Sequence, residues 1–480
     1  MSSTDKQTAL ANQLQIDVPK EKVRAHLQVL GVFFHLLDTV AATSNPENVE
    51  ATVDEFFQRS TYRLQVWLEQ IINIDGEEDP ETKPLQDHEL PPLDVALALH
   101  SYMLSPLRYF EDSELRSPQL KRMQEYPLAN ILNAIDPASQ AYDELKSLAA
   151  AQFWQSTTQL KFDAIDSMSN DATRVIECPS CGTAASVPWA GAHGFASPDF
   201  EYVCAQCGLV VTHDLLRAGK FLKALARAKN DAGFCLPNTA ILVRGEVDVS
   251  RCAAIVAAVW ECLQDDQGAL PSLKDLAAAA ASAGSSTMTF IANKLSTADA
   301  LRPESLPILL RAFEHSYPFT QDVVVALHHQ RPFINKVFNE GWSAPQTDVP
   351  SDADLDDAYA LYADFLDRVI HIQRREPGWQ DDLIWHTHQL LLQTYRAFIV
   401  GYLHVYLDHL PKGEDANAFR PHYDNVANPK AVAVWVETTD TPALETKKLF
   451  VPTDPLSCQD GVAAQAFLTN EFVAPIFANN

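Results

Sequence analysis

Apolar side chains recur at helical spacing along most of this chain. Between Glu21 and Ile74, Leu27, Leu30, Val32, Phe34 and Leu37 share a helical periodicity, and Phe56, Leu64, Trp67 and Ile71 repeat it. Further helical patterns run from Asp94 to Phe110 and from Ser139 to Gln155. After the β insert described below, they resume over Leu215–Lys229, Ser250–Cys262, Leu273–Ala283 and Pro318–His329. Ser351 or Asp352 caps a helix with Leu355, Tyr359, Tyr362, Leu366 and Ile370 on one face, and a long helix is expected through Leu383–Val405. Asp75–Pro92 and Pro345–Pro350 read as loops.

One stretch breaks the helical period. Arg174–Thr212 carries Pro, Gly, paired Cys and β-favouring runs such as Leu209-Val210-Val211. The expectation is a mainly α protein: a multi-helix body with an inserted β ribbon and a short β or irregular tail. By residue number it comprises a flexible N-terminus (1–20), a helical region (21–170), the ribbon (171–213), two more helical regions (214–344 and 351–425) and the tail (426–480), where 431–437 alternates like a strand.

Composition narrows the partners. Acidic residues outnumber basic ones 63 to 36, a formal charge of −27, which repels phosphate backbones and anionic membranes and leaves protein as the expected partner. The start, Met1–Gln15, has no apolar run behind a basic segment, and no stretch reads as a clean membrane span: Leu27–Ala42 carries His35 and Asp38. That places the chain in the cytosol or nucleus, where thiols stay reduced and close cysteine pairs act as metal ligands.

Two such pairs stand in the ribbon, CPSCG with Cys178 and Cys181, and CAQCG with Cys204 and Cys207. Each Cys-x-x-Cys turn aims two thiolates at one point, and Gly182 or Gly208 lets the backbone fold back so that N–H groups face the sulfurs. Four thiolates match the closed tetrahedral set of structural zinc and leave no open position for catalysis. His193 and His213 are near but not needed, and Cys235, Cys252, Cys262 and Cys458 read as unpaired small hydrophobes. Behind the ribbon, Lys220, Lys223 and Arg227 share a helix face with Arg217 and Lys229 close by, a candidate basic patch or simply a solvated face.

A second pattern is internal. Leu93–Asp112 overlays Trp379–Phe398 so that His100 falls on His386, Tyr102 on His388, Leu104 on Leu390 and Tyr109 on Tyr395. On a helix, residues two apart point about 200° apart, so His386 and His388 cannot chelate one ion together. They read as buried histidines bonded to neighbours such as Asp382, with Trp385 in the core. The sharper alternative joins His386 or His388 to His404, Asp408 or His409 in a second metal or acid–base centre.

With these motifs the chain resembles the glycine-rich domain-containing protein-like family of fungi and plants. The resemblance rests on PPLDVALALHSYMLSP with RYFED, on the two Cys-x-x-Cys turns followed by THDLL, and on DLIWHTHQL with Tyr395 and Asp408-His409, and spans roughly residues 20–425. Leu99 stands where that family usually has Trp, Leu392 where it has Pro and Gln380 where Asp is common. The resemblance implies a mainly helical domain of undefined molecular role, linked in some members to development, stress or RNA processes. No nucleophile elbow, His-Glu-x-x-His, phosphate loop or dinucleotide fingerprint occurs. The expected function is therefore a non-enzymatic, zinc-containing interaction scaffold. A metal-dependent enzyme at His386/His388 and RNA binding through the basic helix are the alternatives.

Overall fold

The computed structural model describes residues 3–72, 83–240, 249–297, 306–343, 350–370, 377–403 and 406–408. It is mainly helical. In chain order the helices are α1 (Ser3–Asp17), α2 (Lys20–Ala42), α3 (Val49–Val66), α4 (Leu93–Met103), α5 (Pro106–Leu115), α6 (Leu128–Ala134), α7 (Leu148–Thr158) and α8 (Ala164–Asn170). They continue as α9 (His213–Asn230), α10 (Val249–Leu263), α11 (Leu273–Ser282), α12 (Thr287–Ser296), α13 (Leu306–Arg311), α14 (Val323–Asn339), α15 (Asp352–Ile370), α16 (Trp379–Gln389) and α17 (Leu392–Leu403). Three antiparallel hairpins complete the described residues: β1–β2 (Ile135–Asp136, Ala141–Tyr142), β3–β4 (Thr173–Glu177, Ala184–Pro188) and β5–β6 (Glu201–Val203, Val210–Thr212).

Among the described residues two large hydrophobic cores form, with small clusters around the sulfurs and around Cys235–Cys252. The larger is built from α1–α8, α14–α17 and the inner face of the insert. The smaller is built from α9–α13, with Leu215, Ala218, Phe221 and Leu225 on the apolar side of α9. The expected region 214–344 is therefore divided, because Val323, Leu327, Ile334 and Val337 of α14 pack in the larger core. The expected flexible start is also revised: α1 buries Leu10 and Leu14 and lies along α15. By length and composition α2 could cross a membrane, yet here Val23, Leu27, Leu30 and Phe33 are buried in the larger core. Gly31 sits so close to the Ser343 carbonyl that an added Cβ would lie 2.4 Å from its oxygen.

The two overlaid segments are the same structural unit. α4 and α16 have 11 residues each, and both pairs break at the same register before α5 and α17. The single helices expected over Asp94–Phe110 and Leu383–Val405 are thus hairpins. In the first, Pro106 has no N–H to continue the ladder. In the second there is no proline, and segment 124–126 opens the helix instead: Tyr126 N–H donates to Leu390 O and Leu392 N–H to Gln124 O. Tyr109 Oη donates to Leu120 O at 3.0 Å and Tyr395 Oη to Leu407 O at 2.7 Å, so each hairpin ties down the chain that follows it. Similarly, Ser139–Gln155 is helical only from Leu148, its front half being the β2 turn.

α5 carries buried charges that hold distant segments. Glu111 accepts the backbone N–H groups of Asn238 (2.7 Å), Thr239 (3.1 Å) and Ala240 (3.2 Å). Asp112 accepts Thr320 N–H at 2.7 Å, Thr320 Oγ1 at 2.5 Å, Arg116 at 3.0 Å and the Tyr102 hydroxyl. Arg108 grips Asp408 at 2.7 Å. Cys235 and Cys252, read above as unpaired, are joined in a disulfide with Cα atoms 5.4 Å apart. The pairing escapes sequence reasoning because only the packing of α10 beside segment 235–240 brings the two together. Cys262 is free and Cys458 lies outside the described residues.

Two substitutions test this frame. Gly31→Ala is expected to cost about 1–3 kcal/mol in urea unfolding, because the Ser343 carbonyl is backbone and cannot yield cheaply. Glu111→Ala leaves three N–H groups without their acceptor and Arg116 with Asp112 alone, and a loss of roughly 3 kcal/mol or more is expected in the same measurement.

Candidate metal centre and buried histidines

The two Cys-x-x-Cys turns have one shared backbone design. Gly182 N–H donates to Cys178 O and Cys178 N–H to Thr183 O; Gly208 N–H donates to Cys204 O and Cys204 N–H to Leu209 O, all at 2.9 Å. Both turns close through a left-handed glycine, φ +74° at Gly182 and +68° at Gly208, a conformation that costs other residues free energy. One turn joins β3 to β4 and the other joins β5 to β6, and the hairpins face each other. Cys178 Sγ lies 3.7 Å from Cys207 Sγ, and Cys181 Sγ lies 3.6 Å from Cys204 Sγ. All four ligand atoms fall within 4.8 Å of one another, a group that could hold a metal ion. Burial pushes the Cys178 thiol up to about 11, whereas hydrogen bonds from Thr183 bring Cys181 down to about 6. Four thiolates this close repel one another unless a cation lies between them.

The insert is anchored to the larger core. Trp189, Phe195 and Phe200 are buried there. The Arg174 guanidinium, from β3, lies 3.9 Å from the Phe195 ring, 4.5 Å from Tyr62, 5.0 Å from Trp189 and 5.2 Å from Tyr317. His193 bonds to Asp199 O and His213 to Ser197 O, so neither joins the sulfurs. A search for metal spacing alone passes over Arg174; the cue was an arginine inside an alternating strand, with its neighbours Val175 and Glu177 facing out.

The candidate basic face of α9 loses one member to the interior. Lys220 points inward and donates to Ala312 O at 2.5 Å and Phe319 O at 2.9 Å, and desolvation holds its ammonium below its ordinary value. Arg217 donates to His213 O and Glu314 O, Lys223 pairs with Glu177, Arg227 stacks on Phe234 and Lys229 lies over Trp260. Lys220 is thus taken out of the candidate patch by packing, while Lys223, Arg227 and Lys229 stay exposed beside their partners.

The repeated histidines are buried and diverge. His386 lies 3.3 Å from Asp382 and edge-on to Phe333 of α14. His388 turns the other way, its Nδ1 3.2 Å from the Tyr362 hydroxyl and its ring 5.0 Å from Tyr395. Trp385 is fully buried and donates to Tyr395 Oη at 3.0 Å. Asp408 is bound to Arg108, not to either histidine, and His404 and His409 lie outside the described residues. The proposed second centre is therefore not assembled among the described residues.

A different pair meets instead. His26 Nε2 and His100 Nε2 are 2.8 Å apart, and His26 Nδ1 is 2.9 Å from Thr387 Oγ1. The Thr387 hydroxyl donates to Leu383 O, so it accepts from His26 Nδ1–H. His26 Nε2 then accepts from His100 Nε2–H, which leaves His100 Nδ1 as a bare acceptor with no hydrogen-bond partner. Both rings are neutral: burial holds His26 well below its usual range and brings His100 down to about 3. His26 went unnoticed because it sits singly on the apolar face of α2, where periodicity reports only burial.

Family models, curated proteins and solved structures contain no match to this chain.

The neutral histidines set an acid limit. Above the ordinary value of 6.5 they are neutral in both folded and unfolded chains. Below it the unfolded chain takes up protons that the folded core refuses, so stability falls by up to about 1.4 kcal/mol per pH unit per histidine. His100 and His388, both held at about 3, contribute across that whole interval, and His26 adds to it. Urea midpoints measured from pH 7 to 5 are expected to drop, and His388→Phe to flatten the dependence by roughly one proton.

Proposed function

We propose that this chain is a non-enzymatic interaction scaffold in which Cys178, Cys181, Cys204 and Cys207 bind one structural zinc. The observation that carries the reading is the convergence of four sulfurs from two identically folded turns within 4.8 Å. Zinc fits this donor set better than calcium or magnesium, which take oxygen, and a set of four sulfurs leaves no position for substrate or water. The ion would neutralise the thiolates and lock β3–β4 against β5–β6, fixing the surface that the insert presents. The buried, divergent histidines support binding over chemistry, since each is used in packing or hydrogen bonding. The motifs PPLDVALALHSYMLSP, RYFED and WHTHQL support placing the chain with the glycine-rich domain-containing protein-like family. The acidic balance supports a protein partner in the cytosol or nucleus.

Metal analysis of purified, reduced protein decides the matter. One zinc per chain is expected, lost in Cys178→Ser and kept in His388→Phe, with helical circular dichroism reporting the fold of each variant. Protein without stoichiometric metal, or a second ion lost only in His388→Phe, overturns the reading.

A further inference from the structure

The two hairpins share a backbone but treat their second helices differently. On α5, one face is covered by the chain itself. Leu107 N–H and Arg108 hold Asp408, Glu111 holds segment 238–240, Asp112 holds Thr320 and Arg116 donates to Cys235 O. Leu115 packs on the Cys235–Cys252 cluster.

The alignment that sets His100 on His386 carries these six α5 positions onto Gln393, Thr394, Ala397, Phe398, Gly401 and Tyr402 of α17. Those six residues line a shallow, solvent-open groove of about 660 Å³, with Gln13 and Asp17 of α1 also in its lining. Among the described residues, the face that is filled in one hairpin is open in its twin.

The chemistry of the face has also changed. Glu111 and Asp112, which receive backbone N–H groups on α5, give way to Ala397 and Phe398 on α17, and Arg116 gives way to Tyr402. Gly401 replaces Leu115 and leaves room: a Cβ there would meet nothing within 4 Å. Phe398 and Tyr402 stack with ring centroids 5.6 Å apart. Beneath them His388 lies 5.3 Å from Phe398, fully buried. Asp17 is the one charged residue among those lining the groove.

We propose that the groove between α1 and α17 docks an extended segment of a partner protein bearing an aromatic anchor beside a Lys or Arg. The anchor stacks on Phe398 and Tyr402, and the cation meets Asp17. In the twin, segment 318–320 lies against the hairpin: Thr320 bonds to Asp112, the counterpart of Phe398, and Phe319 packs at 5.1 Å on Tyr102, the counterpart of His388. Charge favours a basic partner over a second copy, since this chain carries −27. The inference extends the scaffold reading without using the metal, so the two fail separately.

Random peptides displayed on phage, panned on the full-length protein, test it. Enriched sequences should carry an aromatic residue next to a basic one. Synthetic versions should bind Gly401→Trp about tenfold or more weakly, and bind Ala278→Trp, an exposed site on α11, like wild type. Zinc content should be unchanged in Gly401→Trp, and its circular dichroism should match wild type. Asp17→Asn should weaken binding with a reduced salt dependence. No enriched peptides, peptides indifferent to Gly401→Trp, or a dimer that Gly401→Trp dissolves would each overturn it.

Discussion

Two adjacent carboxylates on one short helix hold this molecule together. Glu111 and Asp112 are almost fully buried, and a buried charge is tolerated only when it is paired and hydrogen-bonded. Their partners come from segments 238–240 and 320, far from α5 in the sequence. Meeting that requirement brings the segment that follows α9 and the approach to α14 to the same helix. Arg108 draws in Asp408 from the far end of the described chain in the same way. The apolar cores supply most of the burial energy, but they are non-directional. The carboxylates choose which loops sit where.

The duplicated hairpin shows how one backbone serves two ends. In both copies a histidine lies under a phenylalanine edge, Phe33 over His100 and Phe333 over His386. In both copies a tyrosine pins the following segment by its hydroxyl. The copies differ where α5 is ionic and α17 is apolar. The ionic copy is saturated by its own chain, which makes it rigid and internal. The apolar copy keeps an open face beside α1 among the described residues. One backbone thus carries two different side-chain chemistries on the same face of its second helix.

The sulfur quartet is a separate, local device. Its two turns are set by glycines and backbone hydrogen bonds within a few residues, and Arg174 among four aromatic rings attaches the insert to the larger core. Local geometry prepares the site, and packing decides which way it faces.

What could be read from residues alone follows from the range of the forces involved. Helical periodicity, the Cys-x-x-Cys turns and the repeat depend on neighbours within a turn or two, so the helical class, the sulfur group and the equivalence of Leu93–Asp112 with Trp379–Phe398 were legible. The broken helices, the Cys235–Cys252 pairing, the His26–His100 bond, the inward Lys220 and the grip of Glu111 were not. Each requires knowing which remote backbone or ring arrives beside a given side chain, and many distant segments of this chain have similar local patterns. Only the packed structure selects among them, because buried donors, acceptors and charges must all find partners at once, and one global arrangement meets that demand where no local pattern can.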